Sequence, residues 1–137
     1  ESFKRMKSLP HLLLFKLFAC SFFLHIMSPV YSKSNQDVIR HVVCFRFIEN
    51  AHRQEIKRVE TEFSSLQDKI SGIKSLEWGK NNSPEGLNKE FTHCFIVTFT
   101  DTKAREQYLP HPDHQKFVSI LKPILEDVFV IDFTPSL

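Results

Sequence analysis

Seven consecutive residues, Tyr108-Leu109-Pro110-His111-Pro112-Asp113-His114, bring together a phenol, two imidazoles and a carboxylate. An imidazole titrates near neutrality and a phenol stays protonated there, so the pair has the makings of general acid–base chemistry. Pro112 has φ already set for a first helical turn, Asp113 suits the positive end of a helix dipole, and Phe117, Val118 and Leu121 follow. A helix therefore starts here. Counted from His114, those apolar residues fall at i+3, i+4 and i+7, which puts the imidazole on the apolar stripe, facing a core or a cleft. From this helix alone two readings stand: a core histidine with both nitrogens satisfied, or a group that moves a proton.

The flanking elements alternate between strand and helix. Ile39, His41, Val43, Phe45 and Phe47 share one face of a first strand, with Arg40, Val42, Cys44 and Arg46 on the other. Ile56, Val59, Phe63, Leu66 and Ile70 recur at spacings of three and four, a helical stripe set against polar Glu55, Lys57, Glu60, Glu62 and Asp68, and Gly72 ends the helix. Ser75 to Lys80 reads as a short second strand and Asn81 to Gly86 as a loop by turn chemistry. In the third strand Phe91, His93, Phe95, Val97 and Phe99 form one face, and Thr92, Cys94, Ile96 and Thr98 the other. Asp101 or Thr102 caps a short helix reaching Tyr108, the helix from Pro112 is ended or kinked by Pro123, and Val128 to Phe133 is a last strand.

The order β-α-β-β-α-β is the split βαβ, ferredoxin-like arrangement: an α+β fold whose antiparallel four-stranded sheet runs 4-1-3-2 with both helices on one face. The other face is then bare. Val42, Cys44, Cys94, Ile96, Phe129 and Ile131 would form an apolar patch too large to leave wet, and a second copy of the sheet is the economical cover. A homodimer is expected.

The N-terminal part differs in kind. Lys4, Arg5 and Lys7 precede an apolar run from Leu9 to Met27, and Val30-Tyr31-Ser32 offers compact residues for a signal peptidase. Residues 1–32 therefore read as a secretory signal, residues 33–38 as a linker, and residues 39–135 as the folded domain. The expected destination is outside the cell or in the periplasm, with anchoring through the N-terminal segment as the alternative. Lys16 and His25 interrupt the run, and no stable membrane span is expected in the mature chain. Cleavage would lower Lys+Arg from 18 to 14 and Asp+Glu from 16 to 15, a net charge of −1, so no basic stripe argues for nucleic acid. Cys44 and Cys94 sit inside apolar runs and read as buried free thiols. With no CxxC, a thiolate zinc site has no support.

Arg40-His41-Val42-Val43, Glu77-Trp78-Gly79-Lys80, Phe91-Thr92-His93, the Tyr108-x-x-His111-Pro112-x-His114 element and Ile131-Asp132-Phe133 together resemble the stress-responsive α/β-barrel (Dabb) domain family over Ile39 to Pro135. The resemblance implies a dimeric α/β barrel in which two ferredoxin-like sheets pack face to face. It also implies kinship with a plant polyketide cyclase that closes a linear poly-β-ketone by aldol condensation without a cofactor. The catalytic tyrosine and histidine of that enzyme match Tyr108 and His114, and its pocket residues match His41, His93 and Asp132. On this carry-over His114 removes an acidic proton between two carbonyls while Tyr108 holds the developing enolate oxygen.

Topology gathers most of these groups. With order 4-1-3-2, the start of the first strand, the ends of the third and fourth, and the second helical segment meet at one edge, so His41, Asp132, Tyr108 and His114 should cluster, with His111 beside them. His93 should lie toward the opposite edge, about 20 Å away at standard strand rise. Three classes stay open: a cofactor-free lyase, cyclase or isomerase acting on a small enolisable ligand; a stress-protective or ligand-binding barrel without chemistry; and, ranked last, a metal site from His41, His111, His114 and Asp132. A monooxygenase, known in similar barrels, is a further option. The reading taken forward needs neither metal nor cofactor.

Overall fold

The computed structural model describes residues 38–136. The expected signal segment and nearly all of the linker lie outside the described residues. Among the described residues no helix is long and apolar enough to cross a membrane. The elements are β1 (Ile39–Phe47), α1 (Arg53–Ser64), α2 (Leu66–Lys69), β2 (Ile73–Lys80), β3 (His93–Phe99), α3 (Thr102–Tyr108), α4 (Pro112–Leu121), a 3-10 turn at Lys122–Ile124, and β4 (Leu125–Phe133). The sheet runs β2-β3-β1-β4 with every neighbouring pair antiparallel, the ferredoxin-like order expected from the sequence.

Alternation along β1 and β3 sends Val43, Phe45, Phe95, Val97 and Phe99 into one core with Val59 and Phe63 of α1 and Phe117 and Leu121 of α4. Phe63 is the hub, its ring 4.3 Å from Phe95 and 4.5 Å from Phe117. The helices leave the opposite sheet face bare, and Phe129 and Ile131 stand about half exposed on it.

Five local details depart from the sequence reading. The first helix breaks at Ser65, whose hydroxyl bonds the carbonyl of Glu62, so Leu66 begins a separate short turn. Phe91 does not share a face with His93: Thr92 N donates to Phe45 O (3.0 Å) while Thr92 O accepts from Asn81 N (2.8 Å), an irregularity that turns the Phe91 ring against Phe129. β4 begins at Leu125, because the turn at Pro123 delivers the chain directly into the sheet. Glu60, read as solvent-facing, is 4 % exposed. Cys44 and Cys94 are free but only half-buried, less covered than their apolar neighbours imply.

Candidate acid–base site

Two prolines shape the link between α3 and α4. Asp101 accepts a hydrogen bond from Ala104 N at 2.8 Å and starts α3, which ends with Tyr108. His111 is extended, as a residue before proline must be, and its Nδ1 accepts from Asp113 N at 3.2 Å, so this imidazole caps α4. Between the two helices the carbonyl of Leu109 is left outside helical pairing. His114 Nδ1 donates to it at 2.9 Å, alongside Gln115 Nε2 at 2.7 Å. A carbonyl can only accept, so the proton of neutral His114 sits on Nδ1 and the lone pair on Nε2. Burial holds the His114 pKa below its ordinary value, reinforced by nearby His41 and His111 and only partly opposed by the Leu109 bond. At neutral pH the ring is a base with an open nitrogen.

Tyr108 packs directly on it, ring centroids 4.2 Å apart, and also touches Phe99 and His41. The phenol is 1 % exposed, and its hydroxyl has no hydrogen-bond partner among the described residues. Burial pushes its pKa far above the ordinary tyrosine value, so it remains a donor. A buried, unpaired hydroxyl costs stability and calls for a reason, a catalytic role or a bound water among them.

β1 and β4 supply the third component. His41 and Asp132 are register partners on the helix-facing side, and His41 Nδ1 donates to Asp132 Oδ1 at 2.5 Å. Arg105 of α3 holds the other oxygen, Nη1 to Oδ2 at 2.6 Å. Burial would raise the Asp132 pKa, but the bonds from Arg105 and His41 outweigh it and hold the carboxylate below its usual range. Arg105 was not singled out in the sequence. Its only signal was a cation one helical turn before Tyr108, which does not say that a carboxylate 27 residues later will meet it.

His93 stands apart. It is the register partner of Phe45 whereas His41 faces Val97, a separation of four residues or roughly 13 Å along the strands, shorter than the expected span. Its Nε2 donates to Glu60 Oε1 at 3.2 Å, Thr92 Oγ1 lies 2.8 Å from Nδ1, and Trp78 stacks over the ring. Glu60 also pairs with Lys80 and Lys57. Every member of this group is satisfied within the protein. A groove of about 690 Å³, lined on the bare face by Cys44, Cys94, Ile96 and Phe129 and at its β2 edge by Trp78, Lys80 and His93, is lined by none of Tyr108, His114, His41 and Asp132. Among the described residues no three His, Cys, Asp or Glu side chains converge as a metal site requires.

The fold and this constellation define a class: ferredoxin-like α+β domains with a protonated phenol and a neutral imidazole between the sheet edge and the second helical segment. The chain belongs to the stress-responsive A/B barrel domain family, whose model matches residues 39–135. It is similar to the stress-response A/B barrel domain-containing protein HS1 of Arabidopsis thaliana, 32% identical over 72% of this chain and 90% of that protein. It is also similar to olivetolic acid cyclase of Cannabis sativa, 23% identical over 71% of this chain and 96% of the cyclase. Among solved structures, hydroxynitrile lyase from Passiflora edulis shares the fold with a TM-score of 0.69 at 21% identity, covering 74% of this chain and 95% of the lyase. The chain is thus similar in sequence to a cyclase and shares its fold with a lyase.

Proposed function

We propose that the domain binds a small, apolar, enolisable ligand and moves a proton on it without a cofactor. The Tyr108 hydroxyl carries this reading: a permanent donor, buried and unpaired, beside an imidazole whose base nitrogen is fixed by the backbone. His114 Nε2 would take an acidic proton between two carbonyls, and Tyr108 would hold the enolate oxygen that forms. The ion pair of Asp132 with Arg105 orients His41 at the rim of the same cluster. The sequence similarity to olivetolic acid cyclase supports chemistry at this site over binding alone.

A direct test is deuterium exchange at the central carbon of a small β-diketone, followed by NMR with metal-free protein. Catalysed exchange that falls by about 10²-fold or more in His114→Ala and in Tyr108→Phe is expected. Binding of the diketone without accelerated exchange would favour a non-enzymatic ligand-binding barrel; no binding at all would remove both.

The bare sheet face supports a homodimer, as do dimeric ferredoxin-like proteins of the same fold. Light scattering of the mature domain at micromolar concentration should give twice the monomer mass. Export with cleavage near Ser32 rests on the sequence of residues 1–32; a protein recovered from its source cell with those residues intact would refute it.

A further inference from the structure

On the bare face, Cys44 of β1 stands directly opposite Cys94 of β3. The hydrogen bonds flanking β3 fix the kind of pair this is. Thr92 O accepts from Asn81 N and Thr100 N donates to Gly72 O, so the even-numbered residues between them turn their peptide groups toward β2, the irregular Thr92 alone sending its N–H back to β1. Odd-numbered ones then bond to β1, which makes Cys44 and Cys94 a non-hydrogen-bonded antiparallel pair, with Cα atoms about 4.5 Å apart. That spacing lies within the range a disulfide spans without backbone movement, roughly 4.4–6.8 Å. The register between β1 and β3 carries no bulge here.

Access is one-sided. Cys94 is flanked on β2 by Gly79, and a Cβ placed there would meet nothing within 4 Å, whereas Cys44 is flanked on β4 by Phe129. Both sulfurs line the groove of about 690 Å³, together with Trp78, Gly79, Phe91 and Phe129, enough room for a small peptide adduct. We propose that Cys44 and Cys94 are a cross-strand redox pair that closes to an intrachain disulfide by exchange with a low-molecular-weight disulfide such as oxidised glutathione, with Cys94 attacking first. Cys94 loses its proton and displaces one glutathione thiolate, forming a mixed disulfide. Cys44 then loses its proton, attacks the Cys94 sulfur and releases the second glutathione. Two protein thiols are oxidised, one disulfide is reduced, and the two protons leave on the two glutathiones. The order suits the electrostatics: burial and contact with Cys94 push the Cys44 thiol up to about 11, and the part due to Cys94 disappears once that sulfur is capped.

The inference stands apart from the acid–base reading, since neither thiol touches that cluster. It is tested on the full chain, reduced, then treated with oxidised glutathione both as folded protein and during refolding from denaturant, when no second copy covers the face. Intact mass should fall by two hydrogens, and peptide mapping should join Cys44 to Cys94. Formation only in the refolding arm supports the pair and shows that assembly shields it. Cys44→Ser should accumulate a glutathione adduct on Cys94 several-fold faster than Cys94→Ser does on Cys44, and Gly79→Leu should slow the first step several-fold. No link in either arm, or links running only through Cys20, would overturn the proposal.

Discussion

At the residue scale, a hydroxyl without a partner and an imidazole with only one nitrogen engaged make opposite demands on stability and function. Tyr108→Phe removes a buried donor that bonds to nothing in the described residues, so urea unfolding should show stability unchanged or raised by up to about 1 kcal/mol, while the ligand response is lost. A drop of several kcal/mol would instead mean that the hydroxyl is already bonded in solution. The pH dependence follows from the directions of the shifts. His114 and His93 titrate below their ordinary value in the folded state, so below about pH 6.5 the unfolded chain binds more protons and stability falls as pH falls. His114→Gln should flatten that slope between roughly pH 7 and 5 without abolishing it, because the buried His93 contributes its own share. The depressed Asp132 carboxylate acts lower: its contribution is complete only well above its ordinary pKa and is lost as pH falls through its folded value, so Asp132→Asn should cost more stability at neutral pH than in acid. Parallel unfolding curves for variant and parent across this range would contradict both assignments.

At the element scale, α3 is the positioning device, since one seven-residue helix delivers Arg105 to Asp132 and Tyr108 to His114. So short a helix depends on its cap. Asp101→Ala should cost about 1 kcal/mol in denaturant unfolding and also blunt the ligand response, whereas an equal loss of stability from a core truncation far from α3 should leave that response intact. The same scale explains what could be read beforehand. Period-two alternation in Ile39–Phe47 and His93–Phe99 is strong because one face of each strand meets the helices, and antiparallel return of the last strand beside the first puts Asp132 opposite His41. Arg105 and Glu60 were not legible for a shared reason. Each is a charged residue on a helix, where the local pattern says solvent, and each is drawn inward by partners brought up from strands distant in sequence: Asp132 for one, His93 and Lys80 for the other. Phe91 escaped because a single irregular residue, Thr92, reverses the alternation that predicted its side.

At the scale of the whole molecule, the helices cover one sheet face and leave β4 apolar and about half exposed on both of its sides. Ile96→Arg, placed at the centre of the bare face, should give monomer by light scattering or fail to fold, because a buried charge without a partner costs several kcal/mol. A dimer as stable as the parent would show that copies meet elsewhere. β4 is also an edge strand, and Val128-Phe129-Val130-Ile131 along it is a run with high β-propensity and no charge, the kind of segment that recruits unrelated strands while a chain is still alone. Asp127 and Asp132 bracket that run as gatekeepers against fibrillar self-association. Asp132 is therefore expected to act twice, orienting His41 in the finished protein and opposing self-association of the nascent one. Asp132→Ala should raise the insoluble fraction on expression as well as weaken the ligand response, and recovery of solubility alone in the double variant Asp132→Ala, Val130→Lys, whose lysine stands on the half-exposed side of β4 away from the bare face, would separate the two roles.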